Sequence, residues 1–281
     1  MHLLASSYRP VALESALRPL DRRGNRNGVA RPALLATIAC FALALRLAGA
    51  DGGAPFPRPE TLVGVGPVYP QLSQPLRFWE ALSPAEYLDI RERSVSLERV
   101  VAWDMGHRRV TGGQSPERVF AAFWWGDPLA TLEVEPVAGR SFTVEETTQG
   151  ARVAMISDRL WRRQFGADAA VVGKTIGVGA VGAPEERFVV VGVMPPGALI
   201  YDTDLWLPMW ARPEQFQRAT RQIQVLARLR PGSSVEQVNA ELLHLANSIA
   251  DEHLAENPEY AGWRLEARTW ETIEREFPRG R

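Results

Sequence analysis

The 281-residue sequence has one lysine, one cysteine and almost no net charge. Lys174 stands alone among 32 basic residues, which fits GC-rich coding better than a functional requirement. Cys40 has no second cysteine to pair with, so the chain contains no internal disulfide framework. A net charge of −1 gives no reason to expect nucleic acid or an acidic ligand as a partner. The 46% of apolar residues and nine Trp are sufficient for a packed core in one or two domains.

Positive charge is concentrated at the N-terminus. Residues 1–32 hold six Arg against Glu14 and Asp21, a net +4 (6 − 2), which leaves −5 (−1 − 4) for the rest. Residues 33–50 are apolar except for Thr37 and Arg46. As a helix they would span about 27 Å, close to the roughly 30 Å hydrocarbon core of a bilayer. The pattern predicts a transmembrane helix at 33–50, with a basic cytoplasmic tail at 1–32 and the remainder outside the cytoplasm.

Two alternatives stay open for this apolar segment. Ala48-Gly49-Ala50 fits the small-residue pattern after which signal peptides are cleaved, although the basic region before it is long for such a signal. Residues 51–281 would then be secreted, and a secreted hydrolase or glycan-binding protein is the alternative function. A buried helix of a soluble protein is a third interpretation, which the lack of a polar face disfavours.

Proline and glycine separate the apolar segment from the folded body. Residues 51–77 hold ten of them, which predicts an extended linker with one short strand, Leu62 to Val65. We expect the folded body to begin near Phe78, with a core domain over 78–270 and a C-terminal tail over 271–281.

The core domain shows short strand patterns mixed with three helix patterns, which predicts the α+β class. Ser83-Pro84-Ala85-Glu86 is a capping box for a helix ending near Arg93. Ser157 precedes a second helix, and a third over 235–251 presents one apolar face. The predicted strands are 97–104, 118–124, 153–156, 223–230 and 263–267, with 175–178 and 188–193 as a hairpin.

Several motifs in register resemble those of the MacB-like periplasmic core domain of FtsX-type ABC transporter permeases, over roughly 33–267. The most specific are Ile156-Ser157 through Trp161, Phe165-Gly166, Val191-Gly192-Val193-Met194-Pro195-Pro196 and Leu205-Trp206-Leu207-Pro208. Pro55 to Val63, Ser83 to Arg93, Val134 to Phe142 with its Gly-Arg-x-Phe turn, and Arg228 to Gly232 complete the order.

This resemblance implies a fold, a role and partners. The fold would have a βαβ-type subdomain built from both ends of the domain and an inserted, strand-rich subdomain. The domain would be non-enzymatic, with no catalytic, cofactor or metal residue. It would couple ATP hydrolysis on a separate ATP-binding subunit to export or release of a substrate. The implied partners are that subunit, other permease subunits in a dimer, and a periplasmic protein or lipoprotein substrate, with no nucleic acid. The implied location is the bacterial inner membrane, crossed once.

One feature departs from the family pattern. A complete permease carries further membrane helices after this domain, and no second apolar span follows residue 270 here. One helix does not make a permease membrane unit. We therefore expect a truncated product, a fragment, or a subunit that borrows helices from partners.

Four groups of residues resemble chemical sites, and in each the spacing favours a structural role. Gly173-Lys174-Thr175 lacks the upstream glycine of a phosphate loop and precedes a strand pattern, which favours a turn. The polar run Asp104, His107, Arg108, Arg109 favours a surface loop over a catalytic base pair. His244 and His253 are nine residues apart, which does not suit a helical metal site. The carboxylates Glu145, Glu146, Asp202 and Asp204 show no calcium-loop alternation.

Tryptophan is the remaining candidate. Trp124 and Trp125, with Trp206 and Trp210, would form either a platform for a sugar or lipid or part of the core. The core interpretation is favoured because aromatic side chains dominate the packing of small domains.

Overall fold

A computed structural model describes residues 56–69, 82–180, 182–197, 202–209 and 215–272, all of which belong to the compact unit Ala39–Arg281. The basic tail at 1–32, the transmembrane helix at 33–50 and Trp210 lie outside the described residues. So do residues 51–55 and 70–77 of the linker and residues 273–281 of the tail. Within the described ranges, no helix combines the length and apolar character that crossing a membrane requires.

Ten strands and five α-helices make up the described fold. The strands are β1 (Leu62–Val68), β2 (Leu97–Thr111), β3 (Glu117–Trp125), β4 (Ala138–Gly139), β5 (Val153–Ser157), β6 (Thr175–Gly179), β7 (Glu186–Met194), β8 (Leu205–Pro208), β9 (Gln224–Leu229) and β10 (Arg264–Thr269). The helices are α1 (Pro84–Arg93), α2 (Pro128–Leu132), α3 (Val144–Gln149), α4 (Asp158–Phe165) and α5 (Val235–His253).

Both ends of the described chain build one subdomain. Its strands lie in the order β10-β1-β9-β2, and every neighbouring pair is antiparallel. The chain runs β1-α1-β2 and later β9-α5-β10, so each helix links two strands separated by one other strand. This is the split βαβ arrangement of ferredoxin-like folds. Helix α1 contacts α5, and α5 packs against β10, so both helices cover the same face of the sheet.

The chain between β2 and β9 forms an inserted, strand-rich subdomain. Its strands pair in the order β2-β3-β8-β5-β7-β6, and β6 pairs back onto β2, which closes a six-stranded ring. Strand β2 has 15 residues and belongs to both subdomains. Its residues 97–103 pair with β9, and its residues 109–111 pair with β6. The α+β class is therefore confirmed, and the division agrees with the one that the family resemblance implies.

Alternation along the strands places apolar side chains on both faces. One face carries the larger core, which holds the buried sides of α1, α4 and α5 and the interior of the ring. The opposite face carries a smaller core centred on Trp103, Trp124 and Trp206, which lie on the adjacent strands β2, β3 and β8. The ring centroids of Trp103 and Trp124 are 5.1 Å apart, and those of Trp124 and Trp206 are 5.0 Å apart.

The predicted helices form where their caps indicate. Ser83 and Glu86 make both halves of the capping box before α1, and Tyr87 and Ile90 are buried on its inner face. The Ser157 hydroxyl accepts from Leu160 N at the start of α4. Helix α5 continues two residues beyond the predicted end, and four of its five predicted core residues are buried: Val238, Leu242, Leu245 and Ile249. The 175–178 and 188–193 hairpin is confirmed as β6 and β7.

The folded body begins earlier than Phe78. Strand β1 extends to Val68 and lies between β9 and β10, so residues placed in the linker are part of the sheet. Pro67 is tolerated there because pairing with β9 ends at Val65, and no ladder bond on that side requires its missing N–H. Proline and glycine density suggested a linker, but pairing on both sides overrides that local preference.

Three further differences concern short or polar segments. Helices α2 and α3 have five and six residues, too few to show a periodic pattern in sequence. Strand β2 continues to Thr111, so the expected surface loop at Asp104 to Arg109 is strand. The polar face of α5 makes specific contacts that an amphipathic pattern does not indicate: Asn239 bonds Ala267, and the Glu241 carboxylate accepts from Val95 N and Ser96 N.

Candidate functional site

Two of the most specific motifs of the sequence, Ile156 to Trp161 and Leu205 to Pro208, meet at a buried carboxylate. Asp204, which directly precedes β8, is only 8% exposed at its side chain. Its Oδ1 accepts from Ser157 Oγ at 2.6 Å and from Arg159 Nε at 2.9 Å, and its Oδ2 accepts from Arg163 Nη2 at 2.9 Å. Ser157 N also donates to Asp204 O at 2.9 Å. The carboxylate therefore fixes the start of α4 against β8.

A second acidic residue extends this anchor to β3. Arg163 donates to both Glu117 carboxylate oxygens, and Gln164 Nε2 donates to Glu117 Oε2. The hydrogen bond from Arg163 is the main reason that the pKa of Glu117 is lowered. Helix α4 is thus tied by its polar side to β3 and β8. Its apolar side, with Leu160, Trp161 and Phe165, is buried in the larger core.

The Gly-Arg-x-Phe turn is held by close backbone packing. Gly139 has φ +75, and a Cβ there would lie 2.1 Å from Val191 O. Only glycine fits this approach of β4 to β7. Arg140 then pairs with Glu146 on α3 at 2.7 Å, and Phe142 is buried in the smaller core. The turn positions a short edge strand and contains no reactive group.

Three of the four candidate tryptophans, all those that the structure describes, belong to the core. Trp124, Trp125 and Trp206 are 0%, 4% and 0% exposed, which excludes them as a ligand platform in this conformation and confirms the core interpretation. Trp206 Nε1 donates to Thr203 Oγ1 at 2.7 Å. Trp125 stacks on Tyr87 of α1, so it joins the inserted subdomain to the terminal one.

The Gly173-Lys174-Thr175 segment is a turn into a strand, as predicted. Gly173 has φ +87 and Lys174 N donates to Val171 O, after which Thr175 begins β6. The Lys174 ammonium lies 5.0 Å from the Phe165 ring centroid. A phosphate loop instead has to lead into a helix, whose N-terminus binds the anion.

The Asp104 and His107 side chains point to opposite faces of β2, because they are three residues apart on one strand. The His107 ring lies 5.2 Å from the Phe120 ring. Burial, and then the nearby Arg118, lower the pKa of His107. Arg109 pairs with Glu185 at 2.9 Å. The structure therefore does not bring this run together as an acid–base pair.

The other candidate ligands are also apart. Glu146 pairs with Arg140, whereas Asp202 and Asp204 both pair with Arg159. Asp204 is buried rather than in a solvated turn, because the arginines of α4 cover it. His244 and His253 lie on α5, nine residues apart. In the part of the chain that the structure describes, no group of three or more His, Cys, Asp or Glu is placed to hold a metal ion.

Sequence inspection missed a buried acidic residue beyond its capping role. Glu86 is fully buried, and its carboxylate accepts from Ser83 N at 2.7 Å, Tyr260 Oη at 2.7 Å and Arg221 Nη2 at 3.2 Å. Burial raises the pKa of Glu86 despite the neighbouring guanidinium. Arg221 also pairs with Glu259 at 2.9 Å. This cluster joins α1 to the segments before β9 and after α5. Its one signal in the sequence is Glu86 itself, a charged residue on the side of α1 that also carries Tyr87 and Ile90.

The described chain enters and leaves the fold at one place. Phe56, its first residue, lies with its ring 5.4 Å from that of Trp270, edge to face. Both are buried in the smaller core, at 3% and 4% exposure. The segment before residue 56 and the segment after residue 270 therefore leave the same region of the protein.

Comparison with known proteins gives a matching family model and similar solved structures. Residues 38–245 match the family model described as MacB-like periplasmic core domain. The periplasmic region of MacB from Actinobacillus actinomycetemcomitans is similar in structure, with a TM-score of 0.56 at 10% identity, over 81% of this chain and 96% of that one.

The extracellular domain of the noncanonic ABC-type transporter YknZ from Gram-positive bacteria is also similar. Its TM-score is 0.52 at 14% identity, over 74% of this chain and 100% of that one. At such low identities these likenesses carry the fold alone. No curated protein matches the chain.

Proposed function

Because the chain belongs to the family of MacB-like periplasmic core domains, we propose that it is the extracytoplasmic, non-catalytic domain of an ABC transporter permease system. In this proposal residues 33–50 anchor it in the bacterial inner membrane by a single helix. A separate ATP-binding subunit supplies the energy, and movement of the domain exports or releases a substrate outside the cytoplasm.

The shared entry and exit point at Phe56 and Trp270 is the observation that carries the proposal. A complete permease continues into further membrane helices after this domain, so the two ends of the domain have to lie together. Ring contact between Phe56 and Trp270 preserves this arrangement, although only one membrane helix is predicted for this chain. The membrane segment predicted at 33–50 ends only five residues before Phe56, so the fold begins close to the bilayer surface.

A mechanical role is favoured by how the polar groups are used. Asp204, Glu117 and Glu146 pair with arginines and secure helices and turns. The two subdomains share the long strand β2, so movement of one is passed to the other through continuous sheet. We propose that other permease subunits, in a dimer, and a periplasmic protein or lipoprotein substrate contact this body.

Cysteine accessibility tests the topology. In a Cys40→Ser background, Val95→Cys provides a thiol at a side chain that is 74% exposed. Arg23→Cys provides a matched thiol in the basic tail. We expect a membrane-impermeant maleimide to label position 95 in intact spheroplasts and position 23 only after lysis. Labelling of position 95 only after lysis would refute an extracytoplasmic domain.

The same preparation separates the membrane anchor from a cleaved signal peptide. Intact mass of the purified membrane fraction is expected to include residues 1–50. A soluble product that begins at Asp51 would instead favour the secreted alternative and would remove the permease proposal.

A further inference from the structure

We propose that Arg228 is a positioning residue that clamps the segment after Phe56 onto both subdomains. A displacement of the chain before Phe56 is then passed directly to the inserted subdomain, with no hinge between them. The proposal deepens the mechanical role proposed above, and its purpose rests on that role. The geometry that carries it stands independently.

The Arg228 guanidinium is completely enclosed, and each of its five N–H groups has an acceptor within reach. Nε donates to Thr131 O at 2.7 Å. Nη1 donates to Arg58 O at 2.6 Å and to Thr61 Oγ1 at 2.8 Å. Nη2 donates to Pro57 O at 2.9 Å and to Leu132 O at 3.1 Å. Arginine has five donors in a planar fork, so the whole hydrogen-bonding capacity of the side chain is used.

These acceptors come from two segments that are far apart in the chain. Pro57, Arg58 and Thr61 belong to the entry segment, just after the shared entry and exit point. Thr131 and Leu132 are the last residues of α2 in the inserted subdomain, where unsatisfied carbonyls and the helix dipole favour a cation. Arg228 itself is on β9 of the terminal subdomain. One side chain therefore joins three structural parts.

Glu133 supplies the counter-charge. It accepts from Arg58 and Arg99, and its carboxylate is 3.7 Å from Arg228 Nη2. Burial lowers the pKa of Arg228, but an arginine stays protonated in proteins, so the charge persists. A buried arginine that makes only backbone and hydroxyl contacts, beside one shared carboxylate, is costly to place. Its number of carbonyl partners on the entry segment and α2 indicates a joining role.

Arg228→Lys separates this clamp from charge alone. A lysine keeps the charge but has three donors on one nitrogen, so at least two of the five acceptors, including at least one carbonyl, lose their partner. Hydrogen–deuterium exchange of the full-length chain in detergent micelles is the measurement. We expect amide exchange about tenfold faster at residues 57–62 and 128–134, which corresponds to a loss of about 1.4 kcal/mol in local stability. Exchange at 84–93, in α1, is expected to be unchanged.

Rescue distinguishes a clamp from a general loss of stability. Arg58→Cys and Glu133→Cys, added to Arg228→Lys in the Cys40→Ser background, place one thiol on the entry segment and one directly after α2, in place of the ion pair that now joins them. Bridging them with a short bismaleimide is expected to slow exchange in both segments relative to the same variant without the reagent.

Each other outcome overturns the inference. Wild-type exchange in Arg228→Lys would show that the hydrogen bonds do not hold the segments. Faster exchange at 84–93 as well would show a global effect, and loosening of one segment alone would show that they are not joined. Because exchange is measured in detergent and topology in spheroplasts, failure of this inference and failure of the proposed function remain distinguishable.

Discussion

Asp204→Asn tests whether the buried carboxylate anchors α4. The substitution preserves shape, but the amide directs N–H groups towards one of two arginines that now donate to Asp204. A donor then faces a donor, and the negative charge between Arg159 and Arg163 is lost. The Ser157 hydroxyl retains an acceptor if the amide oxygen occupies the Oδ1 position, so the start of α4 is preserved.

The expected loss of stability depends on how far Asp204 and its two arginine partners are buried. A hydrogen bond to a charged group contributes about 1.5–3 kcal/mol, and breaking a fully buried ion pair costs about 3–5 kcal/mol. Arg159 and Arg163 are 43% and 38% exposed, so solvent screens their charges and the cost belongs at the lower end. We expect a loss of about 2 kcal/mol. For a domain of this size that is a fall in Tm of roughly 4–8 °C.

Thermal unfolding of the full-length chain in detergent, followed by tryptophan fluorescence, measures the effect. The nine tryptophans include Trp161 on α4, which is close to the substituted site. Asp202→Asn is the matched control, since Asp202 pairs with the same Arg159 but is 60% exposed. It is expected to change Tm by less than about 2 °C, as surface ion pairs contribute little. Equal small shifts in both variants would refute the reasoning, because Asp204 would then behave as a surface charge.

Two further predictions concern an edge strand and acid stability. The Asn239 carboxamide bonds both N and O of Ala267 and so covers backbone groups of the edge strand β10. Asn239→Ala is expected to speed hydrogen exchange of the Ala267 amide about tenfold and, because the edge is then open, to increase self-association in light scattering. The exposed control Asn247→Ala is expected to change neither. The hydrogen bond from Arg58 lowers the pKa of Glu133. This stabilisation is present above the ordinary glutamate pKa and is lost as pH falls through the lowered value. The Tm difference between wild type and Glu133→Gln should therefore be constant from pH 7 to about pH 5 and shrink as the pH falls further, below the ordinary glutamate pKa of about 4.3. A difference that stays constant down to about pH 3 would contradict the assignment.

Much of the secondary structure could be predicted because its determinants are local. The capping box at Ser83 to Glu86 and the apolar face of α5 depend on spacing within a few turns, and both formed as expected. Glycine at position 139 could be read as a turn. The backbone oxygen that excludes a side chain at position 139 belongs to Val191, more than fifty residues later. The sequence therefore does not show why glycine is required there.

The roles of the buried charged residues could not be predicted in the same way. The sequence presents Asp204 only as one of four carboxylates without calcium-loop spacing and Arg228 only as part of a motif, because their partners lie 41 to 171 residues away in the chain. Hydropathy alone assigns such residues to the surface. Burial followed from enclosure by several segments at once, which is a property of the assembled fold.

The amino-acid sequence by itself determined the three longer helices, most of the longer strands, the α+β class and the likeness to a family, since these depend on periodicity, caps and short motifs. Tertiary structure alone decided that β6 returns to β2 to close a ring, that the chain enters and leaves beside Trp270, and that Arg228 joins three parts of the fold. The physical reason is range. A side chain's local preference acts over a few residues, whereas strand closure and enclosure of a charge depend on groups that only the folded backbone brings together.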